Sequence, residues 1–344
     1  SRGLGDVYKR QGKGSEMKYR GILWLKSGGD YMSNNNQNDR LMWLNGEILP
    51  VKDAMVNALS PTAQFGANVF EGIRCYYNKD EEQLYAFRLD DHYARLNQSI
   101  RLFGLKCPYT VKDFENALKD VVKANGYKED IAVRQTVFVD GFGSWFSTEP
   151  VGMFVTPVSK ARKEVPLEKG ETVCISSWER ISERDLSPRV KVGANYINSR
   201  LAKLEAADRG YDSALFLNRE GHVAEGTGSC FFMIKNDEVI TPALTDSILQ
   251  SITRDTVLRI AKDELGMKVS ERSIDRSEVY ICDEAFFCGS AVEISPISKI
   301  DGFTVGEGKP GKHTIKIHEK YLEIATGKNI NYRNWNTPIY VKGE

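Results

Sequence analysis

The sequence predicts an α+β fold in two domains with mostly antiparallel sheets, on three observations. At 344 residues and 41% hydrophobic content, the chain is longer than one core usually serves, since domains run to roughly 100 to 200 residues. Strand-like and helix-like segments follow one another without the regular alternation that builds parallel sheets. Between two such bodies, the stretch 159–170 is charged, aperiodic and carries Pro166, which reads as a linker.

Taken in order, residues 1–31 are polar, glycine-rich and aperiodic, and read as an extension or cloning sequence with Met32 as the natural start. Leu41-Met-Trp-Leu-Asn-Gly-Glu is a strand entering a turn. Residues 83–87 read as a strand, 89–103 as a helix and 111–125 as a second helix. In the first helix Leu89, His92, Tyr93, Leu96, Ile100 and Phe103 fall near helical spacing and mark a buried face. The smaller domain is then 32–160, the linker 161–170 and the larger domain 171–344. Within the latter, 171–178 reads as a strand and 195–209 as a helix, with a hairpin of 213–218 and 222–224 across Arg219-Glu-Gly. Strands follow at 229–235 and 238–241 around the Asn236-Asp turn, then a helix at 253–265 and strands at 284–289 and 294–300.

Forty-seven basic residues cancel forty-seven acidic ones, so no global field draws the chain to nucleic acid or to an anionic membrane. An anionic ligand must be caught locally. The longest apolar runs, such as 131–139 and 282–294, fall short of the roughly 20 residues of a spanning helix. Six cysteines form no CxxC pair, which fits a reduced cytoplasm without a structural metal.

Five segments carry chemistry. Lys191 lies among small and apolar residues in Pro188-Arg-Val-Lys-Val-Gly-Ala-Asn-Tyr, just before a helix. Glu225 precedes a glycine turn and a hydrophobic strand in Val223-Ala-Glu-Gly-Thr-Gly-Ser-Cys-Phe-Phe. Leu249-Gln-Ser-Ile-Thr-Arg-Asp opens a helix at Ser251 or Thr253, with Asp255 in its first turn. A helix start with hydroxyls is also a phosphate cup, because its free amides and dipole point at the anion. The remaining two are His92-Tyr-Ala-Arg and Val69-Phe-Glu-Gly-Ile-Arg, with Ala132-Val-Arg further on. Singly these read as a surface cation, a hairpin carboxylate, a helix cap and surface ion pairs.

Together and in this order, FEGIR, HxxRL, KVGANY, AEGTG and SITR resemble the class IV aminotransferases, the fold-type IV pyridoxal-phosphate enzymes. The resemblance runs from about residue 41 to 327 and is closest to the branched-chain amino acid aminotransferases. It implies pyridoxal 5'-phosphate as cofactor, an active site between the two domains, a larger C-terminal cofactor-binding domain, and at least a homodimer in the cytoplasm. Residue by residue, it makes Lys191 the Schiff-base lysine, Glu225 the partner of the pyridine nitrogen and Tyr196 the neighbour of the ring's phenolic oxygen. Arg95, Ile252, Thr253 and Ser290 would hold the phosphate. Phe65, Phe70, Gly72, Arg74, Arg134, Ser290 and Ala291 would line the substrate pocket. The implied reaction moves an amino group between leucine, isoleucine or valine and 2-oxoglutarate by a ping-pong route.

The residue types suit that chemistry. A lysine amine must be neutral to attack an aldehyde and shuttle a proton. A buried carboxylate stabilises a protonated pyridine nitrogen, and an arginine plus a helix start offers a phosphate charge and geometry. The pocket departs from the branched-chain pattern at four places: Phe65 and Ala132 stand where tyrosines are usual, Cys230 replaces an asparagine, and Gly143-Ser-Trp-Phe replaces small and aliphatic residues. The altered loop and missing tyrosine suit an (R)-amine transaminase. A class IV transaminase of D-amino acids or (R)-amines is the rival within enzymes, although the arginine and histidine that D-amino acid aminotransferases carry in that loop are absent. A silent binding member of the fold is the rival outside them.

Overall fold

The computed structural model describes residues 40–163 and 169–340. The expectations for 1–31 and for a start at Met32, and those for 164–168 of the linker, lie outside the described residues. The described residues form one compact unit, built on two sheets.

The first sheet has seven strands, β1 (Leu41–Leu44), β2 (Glu47–Pro50), β3 (Asn68–Asn78), β4 (Gln83–Phe87), β5 (Ile131–Val139), β6 (Val151–Ser159) and, from the far end of the chain, β16 (Asn336–Pro338). Their order is β16-β4-β3-β5-β6-β1-β2, antiparallel throughout. Helix α1 (Pro61–Phe65) precedes β3, and α2 (Leu89–Phe103) and α3 (Val111–Asn125) lie between β4 and β5. Side chains alternate across a strand, and β3 uses both faces. Val69, Ile73 and Cys75 join Leu96, Phe114, Leu118 and Val121 in a dry core. The alternate positions, Phe70, Gly72, Arg74 and Tyr76, share the other face, from which Arg74 reaches Glu293 and Tyr76 joins Phe232 and Phe286 of the second sheet.

The second sheet has nine strands: β7 (Glu171–Ile175), β8 (Ser213–Leu217), β9 (Val223–Gly226), β10 (Cys230–Lys235), β11 (Glu238–Thr241), β12 (Lys268–Glu271), β13 (Glu284–Gly289), β14 (Glu293–Ile300) and β15 (Phe303–Thr304). The path β12-β11-β10-β13-β14-β7-β8-β9 returns on itself, because β9 also pairs β10 at Glu225 and Cys230. Val173, Leu215, Phe231, Phe287 and Ile297 share one core inside this ring. β7 runs parallel to both neighbours and β11 to β12; the remaining pairs are antiparallel. The β10–β11 turn has Asn236 and Asp237 both at positive φ, 51° and 60°, the type I′ geometry that suits a tight hairpin.

Helix α4 (Tyr196–Asp208) follows a 3-10 turn at Gly193–Asn195. Helix α5 (Ile252–Arg259) passes into a π turn at Ile260–Glu264, where the sequence suggested one uninterrupted helix. The strand expected over 171–178 ends at Ile175. Phe103, expected on the buried face of α2, is 37% exposed beside the left-handed Gly104 cap, where the helix stops.

Helix α6 (Lys312–Ala325) was not foreseen. Its buried residues, Thr314, Ile317, His318, Tyr321, Ile324 and Ala325, have helical spacing, but Thr314 and His318 blunt the apolar periodicity. Its start is capped from another strand, by the Glu284 carboxylate accepting from the His313 and Thr314 amides. Among the described residues no helix is long and apolar enough to cross a membrane.

Candidate active site

Lys191 is fixed from two sides before its amine does anything. Its backbone amide donates to Ser99 Oγ on α2 at 3.1 Å, and its carbonyl accepts from the Phe70 amide on β3 at 3.0 Å. The next residue, Val192, bridges to Val69. Gly193 then lies so close to Asn68 that a Cβ would come within 2.7 Å of its side chain. This turn delivers Tyr196 at the start of α4, and Lys191 Nζ donates to its hydroxyl at 2.7 Å. The Phe70 ring packs on Tyr196, 5.0 Å between centroids, and lies 4.9 Å from Nζ. The Arg134 guanidinium also sits over the Phe70 ring, 3.2 Å from its centroid. Arg134 is in register with Gly72, and a Cβ on Gly72 would meet nothing within 4 Å. The wall beside the lysine is therefore open.

The opposite face of β3 holds a buried ionic triad. Glu71 accepts from Arg95 Nε at 2.8 Å, from Arg95 Nη2 at 2.7 Å and from His92 Nδ1 at 2.7 Å. Burial by itself would raise the Glu71 carboxyl, but the Arg95 charge and the bonds from Arg95 and His92 outweigh it and hold it well below the usual carboxylate range. Burial first, against the pull of Glu71, lowers His92, so a neutral ring donates through Nδ1. Arg95 Nη1 donates to the Gln250 carbonyl at 2.9 Å, which joins α2 to the start of α5. Two of the five guanidinium N–H groups remain for a ligand.

At α5 the cap is Ser251, whose hydroxyl accepts from the Arg254 amide at 3.2 Å. The Ile252 and Thr253 amides are those a helix start leaves without intrahelical acceptors, and they lie beside the carbonyl that Arg95 grips. Arg88, the left-handed residue before α2, binds Asp255 at 2.6 Å and Thr256 Oγ1 at 3.1 Å, so two arginines fasten this helix start.

Glu225 leaves β9 where the strand ring closes. Arg180 Nη2 lies 2.7 Å from its Oε1, with both side chains under 10% exposed, and the Leu249 amide donates to Oε2 at 3.2 Å. Cys230 Sγ is 3.9 Å from the same Oε2. Burial above all, then Glu225, pushes that thiol up to about 12, so it stays neutral. A Cβ on Gly226 would meet the Phe287 ring at 2.7 Å, which pins β9 against β13.

Lys191, Tyr196 and Phe70 are thus in mutual contact, Arg134 packs on Phe70, and Arg95 joins the α5 start. Gly72 lies open between Phe70 and Arg74. Ser290 and Ala291 sit in the turn between β13 and β14, the first half-buried and the second exposed. Phe65 is 50% exposed; the following Gly66 abuts the Ala194 backbone. Arg74, expected to line the substrate pocket, has its guanidinium buried against Glu293 Oε1 at 2.9 Å and the Lys160 carbonyl at 2.9 Å.

Sequence reasoning gave no role to Glu71, Arg180 or Glu293. A lone acid inside the apolar strand Val69–Cys75 was a usable signal for Glu71. Arg180 lies in a charged loop that looks like solvent-facing surface, and its partner is 45 positions away.

These groups suit pyridoxal phosphate: an amine held by a phenol, a charge-balanced buried carboxylate, and an arginine with spare donors beside free helix amides.

Residues 68–300 match the family model for amino-transferase class IV. The probable branched-chain-amino-acid aminotransferase of Aquifex aeolicus is 35% identical over 86% of this chain and 96% of its own length. The Pseudomonas aeruginosa branched-chain-amino-acid aminotransferase is 36% identical over 88% and 98%. Among solved structures, the branched-chain amino acid aminotransferase of Thermobaculum terrenum in its PLP form aligns with a TM-score of 0.84. It has 42% identity over 89% of this chain and 100% of that one. That of Thermoproteus uzoniensis with norvaline aligns at 0.82 and 38%, over 87% and 99%.

Proposed function

The chain belongs to the class IV aminotransferases, and from that premise we propose that it moves the amino group of L-leucine, L-isoleucine or L-valine to 2-oxoglutarate. It is an aminotransferase of the branched-chain amino acid type, acting on amino and 2-oxo acids with pyridoxal 5'-phosphate. The observation that carries the site assignment is the Lys191 amine, 2.7 Å from the Tyr196 hydroxyl and beside the open wall at Gly72.

When bound, the cofactor supplies an aldehyde for the amino group and a conjugated ring that accepts electron density from the substrate Cα. Lys191 would hold it through Nζ, Glu225 would face the ring nitrogen and Tyr196 the phenolic oxygen. Arg95, the Ile252 and Thr253 amides and the Thr253 and Ser290 hydroxyls would take the phosphate. Lys191 Nζ, which donates one N–H to Tyr196, would move the proton at the substrate Cα. Arg134 and the Ala291 amide would receive the substrate carboxylate. Phe65 and Phe70 would wall an apolar side chain, with room over Gly72. Amino and oxo acid occupy one pocket in turn, so the kinetics are ping-pong.

Two further parts of this reading concern assembly and place. Phe142, Trp145 and Phe146 are 70 to 76% exposed on one loop, which supports a homodimer that covers them. All six cysteines are free and five are buried, which supports a reducing cytoplasm.

L-leucine added to the holoenzyme without an oxo acid should bleach its visible band. A band that persists overturns the substrate assignment. Lys191→Ala should lose both band and turnover, and retained turnover would sink the lysine's role. Ala132, opposite Arg74 in β5, puts a methyl where a phenol is usual and favours a second reading, an (R)-amine or D-amino acid transaminase. Bleaching by (R)-1-phenylethylamine or D-alanine faster than by leucine would select it.

A further inference from the structure

Arg74 lies on the pocket side of β3, yet almost nothing from solvent reaches it. Its side chain and that of Glu293 are each 2% exposed. Besides Arg74 Nη2, the Glu293 carboxylate accepts from Tyr76 Oη at 2.9 Å and from the Lys163 amide at 2.6 Å. One carboxylate thus gathers an arginine and a phenol from the first sheet and an amide of the connecting segment.

The place of that carboxylate in the backbone is unusual. Gly289 pairs with Glu293 across a three-residue turn, closed by the Val292 amide on the Gly289 carbonyl at 3.1 Å. Glu293 closes this hairpin with φ at 55°, a left-handed conformation that glycine adopts freely and that strains other residues. The chain has a glutamate where the backbone favours glycine, and its side chain is fully engaged. The turn it anchors carries Ser290 and Ala291.

We propose that Arg74 is a positioning residue: through Glu293 it sets the Ser290–Val292 turn, and with it the amide that meets the substrate's carboxylate, without touching the substrate. This rests on the functional reading above. It differs in making Glu293 as important as Arg74, and it leaves the exposed Arg134 as the carboxylate's own cation. Two buried opposite charges that serve one turn act as a unit, so removing either should cost what removing both costs.

The test compares Arg74→Met, Glu293→Gly and the double variant with the wild-type holoenzyme. In the double variant neither charge is left buried alone and the left-handed backbone is relieved, so its melting temperature should stay near wild type. Two quantities are read: KM against kcat for L-leucine, and the dissociation constant of 4-methylvalerate, a leucine skeleton without the amine, from the change in the visible band. Losing charge-assisted hydrogen bonds that hold the turn should raise KM and the dissociation constant about tenfold, with kcat changing far less. The double variant should be no worse than either single. If Arg74→Met raises both constants while Glu293→Gly leaves them unchanged, Arg74 touches substrate itself and the proposal falls; multiplying single effects overturn it too. Should a single variant not fold, Tyr76→Phe, which removes one bond to the same carboxylate, must raise the dissociation constant severalfold or the proposal fails. A wild-type enzyme that neither binds 4-methylvalerate nor transaminates leucine overturns the functional reading instead.

Discussion

Replacing Glu71 by glutamine tests whether the buried triad is built for a phosphate. In the cofactor-free protein the substitution leaves Arg95 buried with no counter-charge, after two hydrogen bonds of 2.7 and 2.8 Å are lost or weakened. Breaking a buried pair in this way costs about 3 to 5 kcal/mol. For 344 residues, an unfolding entropy near 2.1 cal/mol/K per residue gives about 0.7 kcal/mol/K, hence a fall in melting temperature of about 4 to 7 °C. Bound cofactor brings a phosphate to the spare donors of Arg95 and returns most of that loss. Calorimetry of both proteins with and without pyridoxal phosphate should therefore find a larger stabilisation by cofactor in the variant. Equal losses with and without cofactor would refute a phosphate at Arg95, and a fall under about 1 °C would refute the pair as a stabilising element. The pH dependence has a definite sign. Because the folded Glu71 carboxyl lies below its unfolded value, its contribution is complete above about pH 4.3 and disappears as pH falls toward the folded value. The gap between wild type and variant should be constant from pH 7 to about 5 and narrow below that.

Two other perturbations address the other end of the cofactor site. Arg180→Met leaves the buried Glu225 without its counter-charge; melting temperature should fall and bound cofactor should restore part of the loss, while equal losses with and without cofactor refute the placement of Glu225 against the ring nitrogen. Gly226→Ala drives a Cβ to 2.7 Å from the Phe287 ring in a packed core, at about 1 to 3 kcal/mol, and displaces the strand that carries Glu225. Melting temperature and cofactor affinity should fall together, and an unchanged melting curve refutes the tight contact.

What the sequence disclosed was mostly local. The two helices of the first sheet and the strands Gln83–Phe87 and Glu284–Gly289 coincide with their expected limits, because glycines or turn residues bound each and the apolar pattern repeats within it. Lys191 and Tyr196 share one short motif, so their meeting could be foreseen. Partners supplied from afar could not be. Arg180 looks like loop surface until β9 brings Glu225 to it, and Arg74 looks like a pocket cation until Glu293 arrives from 219 positions along the chain. Helix α6 was hidden for the same reason, since Glu284 from another strand caps it.

The alternation of β3 has a consequence for redesign. Glu71 secures Arg95, the proposed phosphate ligand, from one side of the strand, while Phe70 and Gly72 face the proposed substrate pocket from the other. Substitutions at 72, where a Cβ meets nothing within 4 Å, can therefore retune selectivity while the Glu71–Arg95 pair stays intact. A slip of the strand by a single residue would exchange the two duties and abolish both. Libraries for new amine donors should vary Gly72 at a constant strand length and keep Arg74 and Tyr76, which hold Glu293.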